Sequence, residues 1–145
     1  DYVTGQTPSE LCAELTTFVE GRRLDDNAQI LLRYASGARG MLWASQVAPG
    51  NENALKLRVY GEKGGLAWHQ EHPNQLLWSP LGEPTRIIAR GTGAVGPDAA
   101  RVTRIPSGHP EGYLEAFATI YAEAAAAIRA HRVGEPPPVE VQFPT

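Results

Sequence analysis

Apolar residues recur at every second position along most of the stretch from Ser9 to Ala89, and this alternation constrains the fold more than any other feature of the chain. Ser9 to Val19 places Leu11, Ala13, Leu15, Thr17 and Val19 on one face, and Asn27 to Ala35 alternates Ile30, Leu32 and Tyr34 against Gln29, Leu31 and Arg33. Ser36-Gly37 reads as a two-residue hairpin turn into Arg39 to Val47. There Met41, Trp43 and Val47 share one face and Leu42 and Ala44 the other, so both faces are expected to be covered. Pro49-Gly50-Asn51 breaks the pattern, and Ala54 to Tyr60 resumes it with Leu55, Leu57 and Val59. Gly61-Glu-Lys-Gly-Gly65 turns the chain into Leu66 to Gln70. Short strands follow over Gln75 to Ser79 and Thr85 to Ala89, around Pro80-Leu-Gly82. Such tight turns predict an antiparallel meander.

From Gly91 to Gly108 periodicity gives way to a Gly-, Pro- and Ala-rich connection. A helix is expected to begin at His109-Pro110-Glu111, with Pro at its first position and an acid in its first turn. Tyr113, Phe117, Ile120, Tyr121, Ala124 and Ile128 recur at helical spacing; Arg129, His131 and Arg132 suit the C-terminal end, and Gly134 and Pro136-Pro-Pro138 stop it. Val139 to Phe143 reads as a last short extended piece. The fold class is therefore α+β: an open, mostly antiparallel β-sheet of about six or seven strands with one long helix packed on one face. Seven strands span roughly 30 Å, whereas one helix is only about 10 to 12 Å across. The other face is thus expected to be available for oligomerisation.

Composition narrows the function. The 145 residues carry 13 basic and 16 acidic side chains, and no basic cluster exceeds Arg22-Arg23, which argues against nucleic acid as a partner. No apolar run approaches the roughly 18 residues of a membrane span, and DYVTGQTPSE lacks the pattern of a secretion signal. The single cysteine, Cys12, excludes an internal disulfide framework. Together these predict a cytoplasmic protein with no membrane partner. The chain opens on Asp1-Tyr-Val-Thr-Gly5 and stops at Phe143-Pro-Thr145, so residues 1–145 are expected to be a fragment of a longer protein.

Several motifs invite chemistry. His69-Gln-Glu-His72 offers two imidazoles and a carboxylate but no third ligand at fixed spacing, so no metal site is expected; it reads as a solvated strand end. Gly61 to Gly65 lacks the ending of a phosphate loop and opens no helix, so it reads as a hairpin turn needing positive φ at Gly64 or Gly65. Cys12 sits in an alternating strand, where an inert thiol is expected. Glu111 and Glu115 suit the helix dipole. The amide-rich loop Gln46 to Asn53 and the segment Ser107 to Tyr113 hold the amides, imidazole and phenol that bind hydroxyl groups of a sugar or polyol.

At these segments the chain resembles a known family. Leu57-Arg-Val-Tyr-Gly-Glu-Lys-Gly-Gly-Leu66 resembles the strand–turn–strand of the C-terminal domain in the glucose–fructose oxidoreductase / inositol dehydrogenase (Gfo/Idh/MocA) family. Asp25-Asp-Asn-Ala-Gln-Ile-Leu-Leu-Arg-Tyr-Ala-Ser-Gly-Ala-Arg-Gly40 is similar to that family's preceding hairpin, and Gly108-His-Pro-Glu-Gly-Tyr-Leu-Glu-Ala-Phe117 to the branch carrying G-H-P-E-G-Y. The resemblance implies a C-terminal substrate and oligomerisation domain of an NAD- or NADP-dependent oxidoreductase of sugars, inositols or related polyols. It implies as partners an N-terminal Rossmann domain and further copies of the chain. The glycine-rich nucleotide fingerprint and the E-K-P motif are absent from this sequence, and the family's catalytic Asp/His segment would precede residue 1. No catalytic, cofactor-binding or metal residue is therefore expected here, and the chain alone is expected to be inactive. By position, Gln46, Asn51, Asn53, His109 and Tyr113 would rim the substrate pocket. The alternative is a non-catalytic assembly or sugar-binding module.

Overall fold

A computed structural model of the chain describes residues 3–93, 95–138 and 141. Its elements are β1 (Pro8–Thr16), β2 (Asn27–Tyr34), β3 (Arg39–Ser45), β4 (Lys56–Gly61), β5 (Gly64–His69), β6 (Gln75–Pro80), β7 (Arg86–Ala89), α1 (Pro97–Arg101) and α2 (Tyr113–Arg132). The α+β class, the seven antiparallel strands and the long helix are as the alternation predicts. Hydrogen bonding divides the strands into two sheets, β1-β2-β3 and β4-β5-β6-β7. The described chain likewise forms two compact units, one ending at Glu52 and one starting at Asn53.

In the first unit the register pairs Ala13 with Ile30 and Ile30 with Leu42, and Leu15 with Ala28 and Ala28 with Ala44. Directly paired residues share a face, so one face carries Leu11, Ala13, Leu15, Ile30, Leu32 and Leu42. The opposite face mixes Glu10, Glu14 and Arg33 with Leu31, Met41 and Trp43. Strand β1 ends at Thr16 rather than Val19 because Asp26 takes the next backbone donors: Phe18 N–H donates to its Oδ1 at 2.9 Å and Val19 N–H to its Oδ2 at 3.0 Å. The Asp26 backbone also receives the chain leaving β3, since Gln46 N–H donates to its carbonyl at 2.8 Å. Asn27, also buried, accepts from Trp43 Nε1 at 2.8 Å. The β2–β3 turn has three residues, not two. Tyr34 N–H reaches the Ala38 carbonyl, and Gly37, at φ +92°, supplies the left-handed residue that such a loop requires.

In the second unit β4 starts at Lys56 instead of Ala54, because Ala54 turns to φ +52° and donates its N–H to Glu71 Oε1 at 2.6 Å. The Gly61–Gly64 pair closes a tight turn over Glu62 and Lys63, and the positive φ falls on Gly64, at +152°. The 91–108 connection, where loss of periodicity predicts irregular chain, contains α1, with Pro97 at its start and Asp98 in its first turn. Close backbone approaches between elements are all between neighbouring strands among the described residues. Helix α2 is tied in through its preceding connection, where Arg104 Nη1 donates to the Glu115 carbonyl at 2.8 Å and Arg101 pairs with Glu123 at 2.9 Å. Residues 139, 140 and 142–145 lie outside the described residues, and with them most of the expected Val139–Phe143 strand.

Among the described residues Val141 is the buried hydrophobic, while Trp43 is 61% exposed, Met41 77% and Leu42 48%. The apolar stripes that define the strands thus remain open to contact.

Candidate functional site

A concavity of the second unit lies at the start of α2. The helix begins at Tyr113, not at His109-Pro110-Glu111 as the Pro signal predicts. Gly112 caps it at φ −176° and ψ −111°, with its N–H donating to Glu115 Oε2 at 2.8 Å. Glu115 thereby satisfies one of the donors a helix start leaves open, and its charge complements the dipole. Glu111 is held outside the helix by Asn74 of the β5–β6 turn, by the Arg104 backbone and by Arg90, the residue after β7. Asn74 Oδ1 accepts from Glu111 N–H at 3.2 Å, and Glu111 Oε1 accepts from Arg104 N–H at 2.8 Å. Glu111 Oε2 is buried without a hydrogen bond of acceptable angle, yet it lies 2.6 Å from Arg90 Nη1, so charge balances it.

A cleft of about 480 Å³ opens between this helix start and the β5–β6 turn, lined by Glu71, His72, Asn74, Tyr113, Glu115 and their neighbours. The turn is rigid: His72 N–H bonds the His69 carbonyl at 3.0 Å, Gln75 N–H the His72 carbonyl at 3.1 Å, and Trp68 Nε1 the Pro73 carbonyl at 3.2 Å. The Glu71 carboxyl is held below its ordinary pKa chiefly by its own backbone N–H and by that of Ala54, against the opposing effect of desolvation. Glu115 is lowered chiefly by the Gly112 N–H. Both are therefore ionised at neutral pH and serve as hydrogen-bond acceptors rather than proton donors. With the His72 imidazole and the Tyr113 phenol, the lining offers acceptors and donors at several points, the pattern that hydroxyl groups of a polar ligand require.

The five residues expected at a pocket rim are distributed as follows. Tyr113 lines the cleft. Asn53 is tied to its side, with its Nδ2 donating to Gln70 next to Glu71. His109 is exposed three residues before the helix cap and outside the lining, and its carbonyl accepts from Arg90 Nη2 at 2.7 Å. Gln46 and Asn51 are exposed in the first unit, where Asn51 closes the loop by bonding the Ala48 carbonyl. Asn74 and Arg90 carry no signal in the sequence, and Glu71 and His72 belong to the His69–His72 motif, which reads there as a solvated strand end but forms a polar turn facing a helix start.

Residues 1–67 match the family model described as the GFO/IDH/MocA C-terminal domain. Over 122 residues the chain is 34% identical to the uncharacterized oxidoreductase YfiI of Bacillus subtilis (strain 168), an alignment covering 83% of this chain and 31% of that protein. An oxidoreductase structure from Sinorhizobium meliloti is 55% identical with a TM-score of 0.86, over 99% of this chain and 41% of that one. An inositol dehydrogenase homolog from Azotobacter vinelandii, complexed with NADH and myo-inositol, is 37% identical with a TM-score of 0.83, over 90% of this chain and 35% of that one. The likeness is to the C-terminal domain of Gfo/Idh/MocA oxidoreductases, as the strand–turn–strand and G-H-P-E-G-Y segments anticipate. The chain spans about a third of the length of its curated relative.

The glycine turn 61–65 joins two strands, and Gly64 is packed against Ser79 and Trp78, so no helix N-terminus stands there to receive a pyrophosphate.

Proposed function

We propose that residues 1–145 are the substrate-shaping and assembly domain of an NAD(P)-dependent oxidoreductase acting on a sugar, an inositol or a related polyol. The observation that carries this reading is the likeness to the inositol dehydrogenase homolog that binds NADH and myo-inositol. The cleft supports it: ionised Glu71 and Glu115 accept hydrogen bonds from ligand hydroxyls, and His72 and Tyr113 add partners that both give and take. Asn53 lies beside the same cleft through its bond to Gln70, and Gln46, Asn51 and His109 are further substrate-binding residues of this reading, outside that lining. The nicotinamide cofactor, NAD or NADP, supplies hydride transfer when bound to an N-terminal Rossmann domain of the intact protein, and this chain orients the substrate. The accessible faces of β1-β2-β3 join copies of the protein into a homo-oligomer. A cytoplasmic setting accords with the free thiol of Cys12.

The test is steady-state nicotinamide absorbance with the intact protein, NAD and NADP in turn, and a panel of inositols, sugars and linear polyols. Reduction with at least one polyol, and none by the 145 residues alone, is the expected result. Failure of the intact protein with every member, in both directions, overturns the reading. If that protein still self-associates, the exposed apolar rows of the first sheet favour a non-catalytic assembly module.

A further inference from the structure

The segment 105–112 has no repeating backbone pattern, yet it delivers Tyr113 to the cleft. What shapes it is one side chain. Arg90, the residue after β7, has a side chain 16% exposed, and each of its three side-chain nitrogens meets oxygen. Nε donates to Asn74 Oδ1 at 2.7 Å; Nη1 donates to the Ile105 carbonyl at 2.8 Å and faces Glu111 Oε2 at 2.6 Å. Nη2 donates to the carbonyls of Pro106, at 3.2 Å, and His109, at 2.7 Å. Its own N–H bonds the Asn74 carbonyl at 2.9 Å, and Asn74 Oδ1 also takes the Glu111 N–H. The guanidinium thus joins the β5–β6 turn, which forms one wall of the cleft, to the loop that leads into the other.

Arg90 is not among the residues lining the cleft. We infer that it is a positioning residue: it sets the separation of the two walls and so the placement of Tyr113 and Glu115 against a bound polyol. Only a planar fork with donors on three nitrogens reaches these acceptors together, and a lysine ammonium at the same site reaches a subset. Loss of the fork leaves Glu111 buried against a poorer partner and releases the 105–109 carbonyls.

The inference rests on the proposed function for its kinetic readout, so two measurements are made on the intact protein. The first is amide hydrogen exchange of Arg90→Lys, which needs no turnover. Protection is expected to fall in residues 105–113 and to persist in β4–β6; unchanged protection in 105–113 overturns the inference. The second is a double-mutant cycle with Tyr113→Phe. Arg90→Lys is expected to raise KM for the polyol about tenfold, leaving KM for the nucleotide unchanged. The combination should be less than additive, because both changes act on the same contact. Additive effects, or a lower melting temperature with unaltered polyol KM in the folded protein, assign Arg90 a purely structural part and refute the proposal. Arg86→Ala, at an exposed pair with Glu83, is the control and leaves both constants unchanged. If Arg90→Lys does not accumulate folded, Asn74→Ala removes the shared acceptor and carries the exchange measurement alone, because Asn74 itself lines the cleft. An intact protein without polyol turnover defeats the proposed function, while the exchange result still decides the role of Arg90.

Discussion

Adding a single methyl group at Gly64 tests how tightly the second sheet is closed. A Cβ there would meet the Ser79 carbonyl oxygen, Trp78 Cη2 at 2.9 Å and Pro80 Cα at 3.0 Å, at a φ of +152°. Two of these obstacles are backbone, so a rotamer change does not relieve them. Holding an alanine in a glycine-only region costs about 1–3 kcal/mol, and overpacking adds about 1–3 kcal/mol. The stiffer unfolded chain returns about 0.4–1 kcal/mol. Gly64→Ala is therefore expected to destabilise the second unit by about 3 kcal/mol. Gly82 is the internal reference: it has φ +77° but nothing within 4 Å of its Cβ position. Gly82→Ala bears only the backbone cost, a net of about 1 kcal/mol. The difference of about 2 kcal/mol amounts to roughly 30-fold in the unfolding equilibrium. Urea unfolding of the intact protein followed by tryptophan emission reads this directly, because Trp68 and Trp78 lie on β5 and β6. Equal midpoints for the two variants would refute the argument that Gly64 is required by close approach.

Other expectations concern charge and association. The Asp26 carboxyl is held below its ordinary pKa, first by the Phe18 N–H and then by Val19 and Arg22, with desolvation opposing. A carboxyl lowered on folding contributes stability that is complete above its unfolded pKa and is lost as pH falls through the folded one. The first unit should therefore weaken in the acid range below about pH 4, and Asp26→Asn should flatten that limb in acid-titrated circular dichroism; an unaltered limb would exclude Asp26 as its source. Leu42→Asp should lower the oligomeric state in light scattering more than it lowers the melting temperature. An unchanged assembly would remove this face of β1-β2-β3 from the proposed interface.

Where the pattern was local, the fold was legible. Alternation located all seven strands, with ends displaced by a few residues wherever a distant polar group intervened. Asp26 shortened β1, and Glu71 held Ala54 out of β4. The division into two sheets was not legible, since Pro49-Gly50-Asn51 reads equally as a hairpin loop or as a break in the ladder. The helix start was displaced for a related reason. Pro110 suits a first helical position, but Arg90 takes the His109 carbonyl and Gly112, at ψ −111°, is not helical. Tyr113 could be picked out because its segment is rich in hydroxyl-binding groups. Its companions Glu71 and His72 could not, because they reach the cleft by tertiary folding of a turn far away in sequence. Arg90 left no trace at all: most of its partners are carbonyl oxygens, which every residue type carries.

That indifference has an evolutionary consequence. Because the guanidinium grips the main chain at Ile105, Pro106 and His109, side chains along this stretch are free to diverge while the loop keeps its course. Relatives could exchange the groups displayed there, and so retune what they accept, without redesigning the scaffold beneath.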